Sequence, residues 1–373
     1  MWDVAVIGAG LSGITCARKL GSAGYSVCIL DKSRGLGGRM ATRRVTNTHM
    51  SNHHIRVDHG LRYWQPKSTG LQALTAELVG AGVLQPWTAS EYEIHTRGVL
   101  TPVAPVSAPK YAAKMGMSAV AKYLLQRPGP DGLSVFEPAK NLLTSHRAMA
   151  ISHRDGHWTI RCEMGEVVRA KRCAIAMPAQ QAADLLTSCL DTSTDAESLA
   201  VDKRIAQLKA VSYFPCLTLM AGYSTSRCSE MGALDPKGWM LTDWAGTSTD
   251  WVGLDSSKRG DDAASAPVIV IHSKPKFAQR YLEARDLQPA ASVLLHANAR
   301  RLSADWIAQP EWFQIHRWRY ARVQTPHPSA ALAVTDTLAC GGDWCVAPET
   351  NSDFANIDYA YLSGCALADR LLA

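Results

Sequence analysis

The sequence predicts an α/β protein: a Rossmann-type dinucleotide-binding unit at the amino terminus, then a strand-rich second region. Three observations predict it. A continuous apolar run, Val4–Ile7, closes on a G-x-G-x-x-G turn at Gly8, Gly10 and Gly13 and passes into a helix-like repeat. A second apolar run, Val27–Leu30, ends in Asp31. Residues 211–330 hold several strand-like runs and little helix. Continuous rather than alternating apolarity marks strands buried on both faces of a parallel sheet.

Each part of the opening unit has a physical task. Ile14, Ala17 and Leu20 recur at helical spacing, and the helix should end near Gly21 and Gly24. Gly8 permits the tight turn, Gly10 lets a pyrophosphate approach the backbone, and Gly13 lets helix and strand pack closely. Leu11, Ser12 and Gly13 begin the helix, whose free N–H groups and positive dipole end suit that pyrophosphate. Asp31 follows Gly13 by 18 residues, near the spacing of an acid that accepts hydrogen bonds from a ribose. A carboxylate there repels a 2′-phosphate, so NADP is disfavoured at this site.

Composition sets the outer limits. The chain has 373 residues, 47% of them apolar and 19% charged, which is globular and argues against long disorder. No apolar run reaches the roughly 18 residues of a membrane-spanning helix. A net charge of +6, widely dispersed, does not announce a nucleic-acid binder. None of the ten cysteines forms a C-x-x-C pair, so a zinc ribbon or thioredoxin-type site is not indicated. A reducing compartment fits these cysteines, and the strand starting beside Met1 leaves no room for a targeting peptide; a cytoplasmic protein is expected. His49, His53, His54 and His59 lack the carboxylate or Cys spacing of a metal site, and no metal is expected.

Asp31 is followed directly by Lys32, Ser33, Arg34 and a second glycine turn, Gly35-Leu36-Gly37-Gly38-Arg39-Met40. Gly38 allows backbone to pass close to a ligand, and Arg39 offers a planar fork of donors suited to phosphate. The string from Asp31 to Arg44 resembles FAD-containing oxidoreductases of the amine-oxidase superfamily, and specifically their renalase-type members. Asp58-His59-Gly60-Leu61-Arg62-Tyr63-Trp64 is similar to that family's D-H-G-A-Q-Y-F segment, which runs beside the reactive flavin ring. Here Arg62 replaces Gln. It could steady charge near the ring or hold a substrate phosphate, or it could point to solvent. Tyr111–Ser118 resembles the family's G-x-P-G-M-x-x-L element, with Met115 where proline is usual.

The remaining elements follow in order. Leu71, Leu74 and Leu78 predict a helix over 71–84, capped near Gly80. Residues 86–107, with Pro86, Pro102 and Pro105, predict short antiparallel strands outside the main sheet. Arg172–Met177 reads as a buried strand ending at Pro178, similar to the family's A-x-P strand. Residues 191–204 read as an exposed loop or helix. Strands are predicted at Ser212–Met220, Trp239–Leu241, Val268–His272 and Gln314–Tyr320, with a helix near 276–300 and a low-hydrophobicity loop over Asp255–Pro267. His316, Trp318 and Tyr320 alternate onto one face; His272 and the His316–Tyr320 segment resemble renalase segments that face the substrate side of the flavin.

Near the end, Thr337–Cys340 leads into Gly341-Gly342-Asp343, where the resemblance implies that Asp343 holds the ribityl chain or phosphate of the flavin. Ile357–Gly364 resembles the family's V-E-G-A-F-L-S-G helix start, with Asp358 in the acidic position and Tyr359 in place of Gly. Tyr359 either crowds the flavin or reshapes what can approach it. Pro348–Asp353, just before, reads as polar and flexible.

The resemblance therefore implies a Rossmann-type three-layer FAD-binding domain (1–80, 110–185 and 335–373) interleaved with a mixed or antiparallel-sheet substrate domain (81–109 and 186–334). It implies FAD held by Gly8, Gly10, Leu11, Ser12, Gly13, Asp31, Lys32, Gly38, Arg39, Met40, Gly60, Leu61, Arg62, Gly342, Asp343 and Asp358. Arg62, His272, Trp318, Tyr320 and Tyr359 would face the substrate. The activity implied is that of a renalase-type oxidase: isomeric dihydro-NAD(P) gives hydride to flavin N5, yielding NAD(P)+, and O2 is reduced to H2O2. A flavin-dependent amine oxidase is the alternative. A non-catalytic nucleotide-binding scaffold, as in the fold-related GDP-dissociation inhibitors, is an alternative of another class. Small molecules and O2 are the expected partners, with no nucleic acid and no membrane.

Overall fold

The computed structural model describes residues 1–46, 54–95, 99–104, 108–128, 136–189, 195–232, 234–259, 266–347 and 356–373. His49, His53, Pro105 and the segment 348–353 lie outside them.

The opening run forms strand β1 (Trp2–Ile7), the glycine turn opens helix α1 (Leu11–Ser22), and the second run forms strand β2 (Val27–Asp31). These pair in parallel, Val4 opposite Val27 and Ile7 opposite Leu30. On its other side β1 pairs in parallel with the strand Val167–Ile175, whose last residues pair in parallel with Leu338–Cys340. An antiparallel meander, Ala148–Arg154 and His157–Cys162, extends the sheet to eight strands.

Alternating β1 residues face opposite layers, as strand geometry dictates. Val4 and Val6 join Ile14, Leu20, Leu71, Leu78, Leu124 and Leu371 on one side. Ala5 and Ile7 join Ile175, Leu186, Leu208 and Leu338 on the other. Each fully buried Leu or Ile contributes about 1.5–3 kcal/mol, so the sheet is gripped from both faces. The final helix, Asn356–Leu372, crosses α1 at close range; a Cβ on Gly364 would come within 2.8 Å of Thr15 Cβ.

The second sheet has seven strands, with the 14-residue strand Trp312–Thr325 at one edge beside Ser212–Gly222. The expected helix near 276–300 is two helices, Pro275–Arg280 and Gln288–Arg301. They cover one face of this sheet with Phe277, Leu294 and Leu295. The other face, with Met220, Trp251 and Val270, packs against Val45 and Val57 of the hairpin Thr42–Thr46/His54–Asp58.

Several expectations change in contact with this architecture. The helix expected over 71–84 is Thr69–Gly80. Ser90–Ile94 and Leu100–Pro102 form the expected antiparallel pair outside the eight-stranded sheet, and Ser90–Ile94 also joins the seven-stranded sheet by pairing in parallel with Trp239–Asp243. The stretch read as loop or helix, 191–204, is helical from Asp195, in a helix that runs on to Ala210. The Asp255–Pro267 loop begins as a buried turn of 3-10 helix, Asp255–Arg259. Asp255 and Lys258 are fully buried there because they are paired: Lys258 Nζ lies 2.7 Å from Asp255, and Arg259 bridges Asp255 and Asp58 at 3.0 Å each. Hydropathy alone cannot register such pairing.

Candidate functional site

The parallel strands end at a turn built from closely packed backbone. A Cβ on Gly8 would overlap the Ala176 carbonyl, and one on Gly13 would overlap the Gly8 carbonyl, so both glycines are required by packing. Gly10 differs: a Cβ there meets nothing within 4 Å. Open space therefore stands before the start of α1, whose N-cap, Gly10, makes no side-chain cap. The N–H groups of Leu11, Ser12 and Gly13 have no helical acceptor. This is a bare, positively polarised helix end that fits a pyrophosphate.

The second glycine turn closes over it. Gly37 N–H donates to Ala9 O at 2.9 Å, and Gly38, at φ +55°, brings its backbone beside Gly10. Asp31 accepts from Ala9 N–H and from Ser33 N–H, both at 2.7 Å, so it holds the turn while each oxygen keeps a further lone pair for a ribose. Lys32 donates to Gln181 at 3.3 Å. The side chains of Met40 and Leu11 are buried in the core, leaving only their backbone to face a nucleotide.

Arg39 has a protein partner that no local spacing signals. Its fork is bonded to Asp343, Nη1 to Oδ2 at 2.7 Å and Nη2 to Oδ1, and Nη1 also reaches Ala321 O. Burial disfavours the Arg39 charge, but Asp343 more than offsets this and holds its pKa above the usual value. The late Gly-Gly-Asp turn is thus locked to the second glycine turn, and Gly342 N–H is tied to Ser363 of the final helix at 2.9 Å.

Asp358 likewise has partners within the protein. It is fully buried, and its Oδ1 accepts from Lys67 N–H, Ser68 N–H and Ser68 Oγ–H. It therefore anchors the start of the helix Thr69–Gly80, because two helix starts meet there. Its Oδ2 is buried without a partner. Tyr359, one residue on, is half-buried in the first turn of the final helix.

Beyond Asp58 the chain enters a second cluster. Gly60 is wedged: a Cβ there would overlap Arg39 O and approach Trp318 to 3.3 Å. Leu61 N–H donates to Arg39 O, and Trp318 Nε1–H donates to His59 O, both at 2.9 Å. His59 stacks on Trp318 with ring centroids 5.4 Å apart, and His316 stands edge-on to both. Arg62 does not point to solvent. Its Nε–H donates to His272 Nδ1 at 3.2 Å, its Nη2 is bonded to Asp250, and its guanidinium lies over Trp251.

Since His272 Nδ1 accepts, the neutral ring carries its proton on Nε2. That atom is buried and unpartnered, as are His59 Nδ1 and Trp251 Nε1. Burial, with Arg62, pushes the His272 pKa well below the usual value. Burial, with neighbouring cations or imidazoles, lowers His59 and His316 to about 4. All three rings are neutral at pH 7, and the Arg62 charge is matched by Asp250.

The structure brings Arg62, His272 and Trp318 together and leaves Tyr320 aside, its ring against Tyr213. His59, Trp251 and Asp250, which were not proposed as site residues, and His316, noted only as part of its segment, complete the cluster. The alternation of the 316–320 strand carries the signal for His316; nothing local marks Asp250. Among the described residues no group of three His, Cys, Asp or Glu is placed to hold a metal.

The fold is an α/β Rossmann-type domain joined to a second, seven-stranded sheet, an arrangement shared with solved flavin amine oxidases. Residues 6–78 match the NAD(P)-binding Rossmann-like domain. A solved putrescine oxidase variant with redesigned cofactor binding superposes with a TM-score of 0.69, at 12% identity, over 100% of this chain and 99% of that one. Cyclohexylamine oxidase from Brevibacterium oxydans IH-35A superposes with a TM-score of 0.68, at 12% identity, over 100% of each chain. At this identity the likeness is one of fold. No helix among the described residues is long and apolar enough to cross a membrane.

Proposed function

We propose that this protein is an FAD-dependent oxidase that removes a hydride from a carbon bonded to nitrogen, on the pattern of the flavin amine oxidases. The supporting observation is the joining of the bare α1 start, through the Arg39–Asp343 lock, to the neutral wall of His59, His272, His316 and Trp318. Gly8 to Gly13 would hold the pyrophosphate, Asp31 and Lys32 the adenosine side, Gly38, Arg39, Gly342 and Asp343 the middle of the dinucleotide, and Gly60 and Leu61 the ring, with Arg62 set behind them against His272. When bound, FAD supplies the two-electron acceptor and passes the electrons to O2. The residues supply orientation and a dry, uncharged wall, which favours a neutral amine over an ammonium ion.

A second reading, oxidation of 2- or 6-dihydro-NAD(P), is favoured by one feature. His59 and Trp318 stack on one another with their planes 28° apart, and an aromatic face of that pair would suit stacking a dihydropyridine ring. Hydride loss from that ring is driven by aromatisation and needs no general base. All ten cysteines are free, which fits the reducing cytoplasm we assign.

An anaerobic titration of the FAD-loaded chain separates the readings. Bleaching of the visible flavin band by an amine panel supports amine oxidation; bleaching by isomeric dihydro-dinucleotides supports the second reading. A yellow protein bleached by neither overturns both. A chain that stays colourless with added FAD would instead match the non-catalytic scaffold.

A further inference from the structure

We propose that the protein carries a second anion site, for a phosphate group, on the helix-covered face of the seven-stranded sheet. A cavity of about 370 Å³ opens there between the turn after Asp243 and the helices Pro275–Arg280 and Gln288–Arg301. It is separate from the nucleotide groove and the His–Trp wall. Its lining includes Phe277, of the core beneath the helices, whereas Trp251 beside His272 belongs to the opposite face.

Three arginines line the cavity: Arg280, Arg300 and Arg301. The one acid among its lining residues, Asp243, is 2% exposed and fully engaged. Its Oδ1 accepts from Ala245 N–H at 3.0 Å and Gly246 N–H at 2.7 Å, and its Oδ2 faces Arg301 Nε at 3.2 Å. Arg301 meets that carboxylate through Nε, and Asp243 is its only carboxylate partner among the described residues. A buried carboxylate thus aims a guanidinium. A Cβ on Gly246 would overlap the same carboxylate, so the turn is built around it.

Arg280 and Arg300 have no carboxylate partner among the described residues; Arg280 lies over the Phe277 ring at 5.8 Å. Two positive charges are therefore unmatched, beside the hydroxyls of Thr247 and Ser248. Three guanidinium forks offer more donors than one carboxylate can accept, while a phosphate group carries the charge and the oxygens to use them. Free phosphate and a nucleotide both present that group.

The test is calorimetric titration of the full chain, saturated with FAD, with orthophosphate and separately with ADP at low ionic strength. Saturable binding is expected, weakened at least about tenfold in the double variant Arg280→Gln/Arg300→Gln. Both side chains are exposed, so the variant should keep its thermal midpoint and flavin spectrum. The distant pair Arg154→Gln/Arg161→Gln should leave binding unchanged. Much tighter ADP binding identifies a nucleotide; equal binding identifies free phosphate. No saturable binding of either below about 10 mM, or equal binding by the Arg280/Arg300 variant, overturns the site. Should the chain refuse FAD, orthophosphate titration of the same variants still reads this pocket alone.

Discussion

Arg39 and Asp343 stand 304 residues apart in the chain and are joined by a two-pronged ion pair. Asp343 is buried, so its charge depends on that partner. Asp343→Asn should destabilise the fold by about 3 kcal/mol, since a paired guanidinium becomes unmatched. It should also loosen the middle of the nucleotide groove. Denaturant unfolding reads the first effect and FAD release on dilution reads the second.

Gly10 and Gly13 are one motif to the eye and two different physical cases. A Cβ at residue 13 has no room, whereas one at residue 10 enters open space. Gly13→Ala should lower the thermal midpoint sharply. Gly10→Ala should fold with near-parental stability yet bind FAD at least about tenfold more weakly, because the methyl stands where a pyrophosphate must approach. Thermal unfolding and FAD titration on the two variants give the contrast; equal behaviour would remove the case for a pyrophosphate at α1.

We propose Arg62 as a positioning residue. Its bond to His272 Nδ1 sets which ring nitrogen carries the proton. Arg62→Met should lower kcat by at least about tenfold with little change in FAD affinity, whereas Arg62→Lys should rescue only part of the loss, having no second planar nitrogen to hold Asp250. Steady-state kinetics with the substrate found by the anaerobic titration measures the split. Loss of flavin from Arg62→Met would contradict it.

Stability should depend on pH through the buried imidazoles. His59 and His316 titrate near 4 when folded against an ordinary value near 6.5, and His272 also lies well below it. The unfolded chain therefore binds protons that the folded chain refuses. Stability is full above about pH 6.5 and falls as pH drops toward 4. Asp58 adds to the loss at lower pH: burial raises its pKa, but Arg259 and Lys258 outweigh this and hold it below the usual carboxylate range. His59→Gln should flatten the decline between pH 6.5 and 4, read as the thermal midpoint against pH.

Lys258 is almost fully buried between Asp255 and Asp58, with Trp87 beneath it. Lys258→Met should cost about 3 kcal/mol, because two buried carboxylates are left with Arg259 alone. A variant as stable as the parent would show that Arg259 suffices to match both acids.

The opening unit was legible because its information is local. A strand, a glycine turn, a helix and a terminal acid are each set by near neighbours in the chain, the whole unit running only from Val4 to Asp31, and backbone sterics act over such short ranges. Gly8, Gly10, Gly13 and Asp31 stand as the motif requires. The arrangement of Arg62, His272 and Trp318 was legible only through resemblance, since no spacing links residues so far apart.

By itself, then, the sequence determined that a parallel sheet opens on a bare helix start and that an acid and a second glycine turn follow it. Only the tertiary structure decided how charge is matched: Arg39 to Asp343, Arg62 to Asp250, Asp358 to the start of another helix, and Asp255 and Lys258 to a buried network. The reason is physical. A strand or turn is set by neighbours along the chain, whereas a buried charge must find its counter-charge wherever packing brings one within hydrogen-bond reach, and packing is a property of the whole fold.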